Sequence, residues 1–160
     1  MFYKKELSIF FIFIFTLSIF LPQFAFAQTT SEITIISDLS QIEMQVFGEV
    51  KTESILSRVE YLEKEMVGRT LPGIIKDRVK QLKDFILTGT PEEPSLAFKI
   101  NSVQLSLMDS VTEDPLLAKV EELEINIFGE VSDDVLAMRA EKIFNVIFED
   151  GRPSTTEMTI

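Results

Sequence analysis

The feature that most constrains the fold of this chain is a set of five apolar positions that recurs about every 20 residues. With one residue of each unit taken as a reference, the spacings between references are 20, 20, 21, 20 and 20. The residues at offsets −4, +3, +7 and +8 from each reference are apolar as well, so coincidence does not explain the pattern. The six reference residues are Leu39, Val59, Val79, Ile100, Val120 and Ala140.

The spacing within each unit predicts a helix. Successive steps of 4, 3, 4 and 1 residues bring the five side chains to one face of an α-helix, whereas a strand requires alternation. A helix of about 14 residues is about 21 Å long, and the residues left over in each unit suit a short connection. We therefore expect an all-α fold of six short amphipathic helices in tandem, packed through their apolar faces. Both an up-and-down bundle and a short helical solenoid satisfy this expectation.

The residues between the units are typical of helix ends. A glycine stands at offset +9 in three units, where a left-handed residue closes a helix without a Cβ clash. These glycines are Gly48, Gly68 and Gly129. Short polar side chains that can accept the first helical N–H groups precede several units. The candidate N-terminal caps are Ser54, Ser95, Asp114 (followed by Pro115) and Asp134.

Residues 1–27 have the layout of a secretory signal peptide. Two lysines precede an uninterrupted apolar stretch over 7–21, Pro22 follows it, and Ala25 and Ala27 occupy the positions that signal peptidase reads. The alternative is a retained membrane anchor, because the apolar stretch approaches spanning length. We expect cleavage, a secreted or periplasmic location and no stable membrane insertion afterwards.

The remainder divides into a helical repeat domain over 28–148 and a flexible tail over 149–160, which contains Gly151 and Pro153. The six predicted units lie near 34–48, 54–68, 74–88, 95–109, 115–129 and 135–148.

Charge and composition argue against several classes of function. The chain has 15 Lys and Arg against 26 Asp and Glu; without Lys4, Lys5 and Glu6 of the signal, 13 stand against 25, a net charge of −12. Such a surface repels nucleic acid and anionic lipid. The chain has no Cys and no His, so it cannot build a disulfide, a thiol nucleophile, a Ser/His/Asp triad or a typical zinc site. We expect neither a cofactor nor catalysis.

Charged residues also recur at fixed offsets. Offset +4 is acidic in three units, with Glu43, Glu63 and Glu124. The basic row at offset −1 could bind an anionic ligand, or its side chains could pair with carboxylates of neighbouring helices. The second interpretation is the stronger one in so acidic a chain. The basic row consists of Arg58, Arg78, Lys99, Lys119 and Arg139.

The connections carry most of the remaining acidic residues. No stretch has the alternating ligands of an EF-hand, so solvated helix caps explain the acidic loops better than calcium binding, which stays a minor alternative. If the helices run up and down, loops 48–54, 88–95 and 129–135 gather at one end, and loops 68–74 and 109–115 at the other. The first end is the more acidic and is our candidate partner surface. Its residues are Glu92, Glu93, Glu130, Asp133 and Asp134.

The LxxRVxxLExxxFG pattern and the stretch Pro94-Ser95-Leu96-Ala97-Phe98-Lys99-Ile100-Asn101 resemble a group of secreted bacterial proteins of unknown function built from such units. The resemblance spans 37–148. Units three, four and six depart from it at two positions. Thr88, Asp109 and Glu149 replace the Gly, and Lys83, Gln104 and Phe144 replace the Glu.

The sequence thus favours a non-catalytic exported module that binds an unknown protein or a component of the cell envelope. The second hypothesis is a structural envelope protein that self-associates through its end units. A hydrolase that uses two carboxylates is the third, and the lack of a sugar-stacking Trp argues against it.

Overall fold

The computed structural model describes residues 32–90 and 92–148, and it confirms the all-α prediction: these ranges contain six helices and no strand. The predicted signal peptide and the predicted tail lie outside the described residues. The helices are α1 over 32–47, α2 Ile55–Val67, α3 Ile75–Lys83 with a π-helical turn Asp84–Thr88, α4 Leu96–Met108, α5 Leu116–Phe128 and α6 Leu136–Ile147.

The described residues belong to two compact units. Residues 32–37, the leading part of α1, belong to the first unit and are mostly exposed. The second unit begins at Asp38 and contains the rest of α1 and all the other helices. Everything below concerns the second unit. Within the described residues, no helix is long and apolar enough to cross a membrane.

The core of the second unit consists of the predicted apolar face. All six reference residues and all six residues at offset +3 are buried. Each buried leucine-class side chain contributes roughly 1.5 to 3 kcal/mol relative to its exposed state. The residues at offset +3 are Ile42, Leu62, Leu82, Val103, Leu123 and Ile143.

The helix ends agree with the sequence in part. Ser54 and Ser95 are N-caps whose hydroxyls accept the backbone N–H groups of Ser57 and Phe98. The caps predicted at Asp114 and Asp134 are wrong by one residue, since α5 and α6 start from Pro115 and Val135 without a side-chain cap. In both cases the acidic residue lies one position too early to reach the free N–H groups of the first turn.

The glycines at offset +9 have the predicted left-handed conformation, with φ between 74° and 84°. Asp109, which replaces Gly in the fourth unit, adopts the same conformation at φ 56°. The third unit differs because α3 continues for an extra residue through its π-helical turn, which Gly89 closes by donating its N–H to the Asp84 carbonyl. This extra residue coincides with the single spacing of 21.

The six helices form two groups of three. We name α1 (from Asp38), α2 and α3 the first triplet, and α4, α5 and α6 the second triplet. In each triplet a polar contact joins the first helix to the second, another joins the second to the third, and another joins the third back to the first. The contacts are Glu43–Arg58, Glu63–Arg78 and Lys83–Asp38 in the first triplet, and Asn101–Lys119, Glu124–Arg139 and Glu141–Lys99 in the second.

The second triplet stacks on the first at corresponding loops. A Cβ added to Gly48 would lie 2.6 Å from Cγ of Pro115, so the α1–α2 loop touches the α4–α5 loop. A Cβ added to Gly68 would lie 3.1 Å from Cγ1 of Val135, so the α2–α3 loop touches the α5–α6 loop. Loops 48–54 and 109–115 were predicted at opposite ends of an up-and-down bundle; that assignment is wrong. The cause is that the ends of α1 and α2 meet the starts of α5 and α6, four places further along the chain.

Stacking also explains where the predicted apolar face leaves the core. Offset +7 is fully buried in the first triplet at Val46, Met66 and Ile86. The same offset in α4 is Leu107, whose side chain is 46% exposed, because nothing in the described part of the chain stacks beyond the second triplet. Offset +7 therefore belongs to the core in the first triplet but not at this residue of the second.

Candidate functional site

We call the contact between two consecutive helices a junction. Three of the junctions contain a buried ion pair. Glu63 lies at offset +4 of α2 and is fully buried, and its carboxylate accepts hydrogen bonds from Nε and Nη2 of Arg78 in α3 at 2.8 and 2.6 Å. Such two-pronged contacts are the strongest geometry for a guanidinium and a carboxylate. Glu43 with Arg58 and Glu124 with Arg139 form the same contact, again 15 residues apart.

The carboxylates also hold the loops that follow them. Glu43 accepts the backbone N–H of Lys51 at 3.2 Å, and Glu124 accepts the backbone N–H of Ser132 at 3.4 Å, each eight residues downstream. One buried side chain therefore fixes both the next loop and the next helix. The hydrogen-bonded carboxylates raise the pKa of Arg58 and Arg78 above the ordinary arginine value. The pairing interpretation of these arginines is thus what the contacts show.

The junction between α4 and α5 uses amides instead. Gln104 replaces the Glu and is fully buried; it donates to the Thr112 hydroxyl at 3.2 Å and accepts the Thr112 N–H at 3.4 Å. Lys119, which replaces the Arg, donates to Oδ1 of Asn101 at 2.9 Å. Burial lowers the pKa of Lys119 from its ordinary value. The loop contact is retained in this junction while the ion pair is absent.

The contacts that close the triplets depart further from the pattern. Lys83 stands where other units have Glu and pairs with Asp38 at 2.6 Å, so the charges are reversed. Lys99 pairs with Glu141 and lies 5.8 Å from the centre of the Phe144 ring, a cation–π distance. The basic row at offset −1 is therefore occupied by structural contacts throughout.

An open groove of about 190 Å³ lies between α2, α6 and the loop that precedes α6. Its acidic edge is Asp133 and Asp134, and the hydroxyl of Ser132 donates to Asp134 at 3.0 Å. Lys64 and Glu65 of α2 also border it, as does Arg139 of α6, which is paired with Glu124. The apolar part of its lining consists of Phe47, Leu117, Val135 and Leu136.

The structure brings together only part of the predicted partner surface. Asp133 and Asp134 share the groove, whereas Glu92 and Glu93 lie in the α3–α4 connection and Glu130 lies at the start of the α5–α6 connection; none of these three lines the groove. All five side chains are exposed. Their role in binding stays a prediction. Within the described residues, no group of three or more Asp or Glu side chains is arranged to hold a metal ion.

Sequence reasoning missed a second surface, at the C-terminal ends of the second triplet. Besides Leu107, the exposed side chains there include Leu105, Ile125 and Val146, each more than half exposed. Offsets +5 and +6 carry no charge in the last three units, but the first unit shares this property at Met44 and Gln45, so the sequence alone does not single out this end. In the last three units these residues are Leu105, Ser106, Ile125, Asn126, Asn145 and Val146.

Scans of the chain against models of known protein families, against curated proteins and against solved structures returned no match.

Proposed function

We propose that this chain is a non-catalytic, exported helical module that binds another protein or a component of the cell envelope. The buried carboxylates that could serve in hydrolysis are already engaged by an arginine, a loop N–H group or both, as at Glu43 and Glu63. A structural role explains these groups without any catalytic step. Binding at the surface is the function for which the chain retains suitable groups.

The observation that carries this proposal is the groove edged by Asp133 and Asp134. Its apolar lining at Phe47 and Leu117 suits an aliphatic stem. The lining also carries three carboxylates, at Glu65, Asp133 and Asp134, against two cations, at Lys64 and Arg139, so its net negative charge suits a positive charge at the end of that stem. A lysine or arginine from a partner has both features. We therefore expect a basic partner segment, and we expect salt to weaken the association by screening.

The predicted signal peptide is consistent with the same proposal, because an exported module would meet its partner in the cell envelope or outside the cell. The signal layout predicts that the mature chain begins at Gln28. Mass spectrometry of the N-terminus of protein recovered from its host tests this expectation. Retention of residues 1–27 would contradict cleavage and favour a membrane anchor.

A pull-down from the exporting cell tests the proposed binding site. The double variant Asp133→Asn/Asp134→Asn removes the acidic edge, and the pull-down is repeated at two ionic strengths. We expect the variant to lose the captured partner, and the wild type to capture less of it as salt rises. The matched control is Glu122→Gln, an exposed carboxylate on α5 outside the groove, which should capture normally.

A second double variant, Glu92→Gln/Glu93→Gln, tests the α3–α4 part of the predicted surface separately from the groove. Loss of capture in this variant and not at the groove would move the site to the α3–α4 connection. Salt-insensitive capture that neither variant reduces would contradict an acidic binding surface altogether.

The second candidate function is a structural protein that assembles with itself. The uncharged apolar side chains at the end of the second triplet favour it, because the core of a protein interface is depleted in charge.

A further inference from the structure

The two contacts between the triplets that involve a glycine have the same form. The glycine that ends a helix, at offset +9, meets the residue just before the helix four places later, at offset −5. Gly48 of α1 meets Pro115 before α5, and Gly68 of α2 meets Val135 before α6. An apolar side chain thus covers a bare glycine backbone at each contact.

At each end of the part of the chain that the structure describes, one residue of such a contact lacks its counterpart. Gly129 ends α5 with the same left-handed conformation, yet within the described residues no atom lies within 4 Å of a Cβ placed there. Ile74 precedes α3 at offset −5, and its side chain is 68% exposed, more than that of any other large apolar residue described. Ile74 also gives α3 no side-chain cap, unlike the serines before α2 and α4.

Burial along the apolar face shows the same two open ends. Where the triplets meet, offset +7 of the first triplet and offset −4 of the second are buried. At the outer ends the same offsets are open: Leu107 is exposed, and Ile127, Ile147, Ile55 and Ile75 are only half-buried. Each outer end is therefore one half of the contact that already exists inside the molecule.

We propose that the occupant of each open end is a second copy of this chain, joined head to tail. The N-terminal ends of α2 and α3 of one copy cover the C-terminal ends of α4 and α5 of the next, with Ile74 placed over Gly129 as Val135 is placed over Gly68. The step is again four helices along the chain. Because the two surfaces differ, a dimer keeps one free surface of each kind, and further copies extend the stack. This inference does not depend on the groove at Asp133 and Asp134.

Sedimentation velocity on the chain purified from cells that export it tests the proposal over a series of concentrations. The wild type should form dimers, trimers and larger species as its concentration rises. Ile74→Asp and Leu107→Asp should each weaken the association by about tenfold or more, because each places a charge in the contact. Aspartate is a favoured N-cap, so Ile74→Asp should keep α3 folded. The matched control is Met138→Asp, which changes an apolar residue that is 61% exposed and lies away from both ends, and which should assemble normally.

Mixing the two disabled variants gives the sharpest outcome. Ile74→Asp retains an intact C-terminal end and Leu107→Asp retains an intact N-terminal end, so the mixture should form a one-to-one dimer and stop there. A wild type that stays monomeric at every concentration would overturn the proposal, as would a mixture without dimer. A monomeric chain that still captures a foreign partner through Asp133 and Asp134 would overturn self-assembly and leave the proposed function standing.

Discussion

The two triplets carry the same apolar pattern but bury opposite ends of it. In the first triplet the C-terminal positions Val46, Met66 and Ile86 are fully buried, while Ile55 and Ile75 at the helix starts are half-buried. In the second triplet the helix starts are buried, whereas at offset +7 Leu107 is exposed and Ile127 and Ile147 are half-buried. The buried starts are Leu96, Leu116 and Leu136.

This difference shows that the burial of a repeated position depends on what stacks against it. Met66 and Leu107 occupy the same offset and have similar volume, but only Met66 has a helix layer above it. The polar contacts differ for another reason. Glu63 and Gln104 occupy one offset, but the amide of Gln104 carries no charge, so it binds Thr112 of the following loop and forms no ion pair. The repeated pattern determines which face of each helix is apolar. The elements that pack against that face determine how much its burial stabilises the fold.

The largest effect should follow from breaking an ion pair of the first triplet. Arg78→Met leaves the fully buried carboxylate of Glu63 without its partner, and we expect a loss of about 3 to 5 kcal/mol in the free energy of unfolding. Urea titration measures this loss. The control is Arg69→Met, an exposed residue in the α2–α3 connection, which should change stability by about 0.5 kcal/mol or less.

A pair of alanine substitutions at offset +7 compares the triplets directly. Met66→Ala should cost about 2 to 5 kcal/mol, since it opens a cavity in the core. Leu107→Ala should cost less, about 1 kcal/mol in dilute monomer, since 46% of that side chain is already exposed to water. Equal losses in denaturant titrations would mean that both ends of the apolar face are covered alike.

The amide junction of the second triplet can be converted towards the ion-pair type. Gln104→Glu and Lys119→Arg restore the residues found in the other junctions, and we expect the double variant to be more stable than the sum of the single changes by about 1 to 3 kcal/mol. The control cycle pairs Gln104→Glu with Lys99→Arg, which contacts α6 instead, and should be additive. If the two cycles gave the same coupling free energy, the α4–α5 junction would not be equivalent to the junctions with an ion pair.

The smallest effect should be a pH dependence at Lys119. Burial disfavours its charged form and lowers its pKa in the folded state below 10.5. The cost of holding that charge is present at neutral pH and is relieved as the pH rises through the lowered folded pKa. Relative to Lys119→Met, the wild type should therefore gain stability between neutral pH and about pH 10.5. A stability difference that stays constant over that range would refute the burial effect.

Much of the fold could be predicted from the sequence because helix faces are local. The offsets of Leu39 and its five equivalents defined six helices, and the glycines at offset +9 marked their ends. The pairing of Glu43 with Arg58 could also be predicted, because acidic residues recur at offset +4 and basic residues at offset −1 of the next unit. These features depend on the 3.6-residue period and on contacts between consecutive helices, and both can be inferred from the sequence.

The stacking could not be predicted, because it depends on which non-consecutive helices meet. The pattern at Leu107 is the same as at Met66, so nothing local indicates that one is open and the other covered. The placement of the acidic loops failed for the same reason: an up-and-down arrangement and a stack of triplets share the same helices. The α4–α5 junction shows a further limit, since Gln104 gives no sign of its partner Thr112.

The central claim is that the first triplet stacks on the second through contacts such as Gly48 against Pro115. Gly48→Ala and Gly129→Ala both place a side chain on a left-handed residue at a similar strain of about 1 kcal/mol. Only Gly48→Ala also meets Pro115, at 2.6 Å. The decisive measurement is urea unfolding of both variants, with and without Pro115→Ala. We predict that Gly48→Ala costs more than Gly129→Ala and that Pro115→Ala removes the excess. Equal costs that Pro115→Ala leaves unchanged would contradict the stacked arrangement.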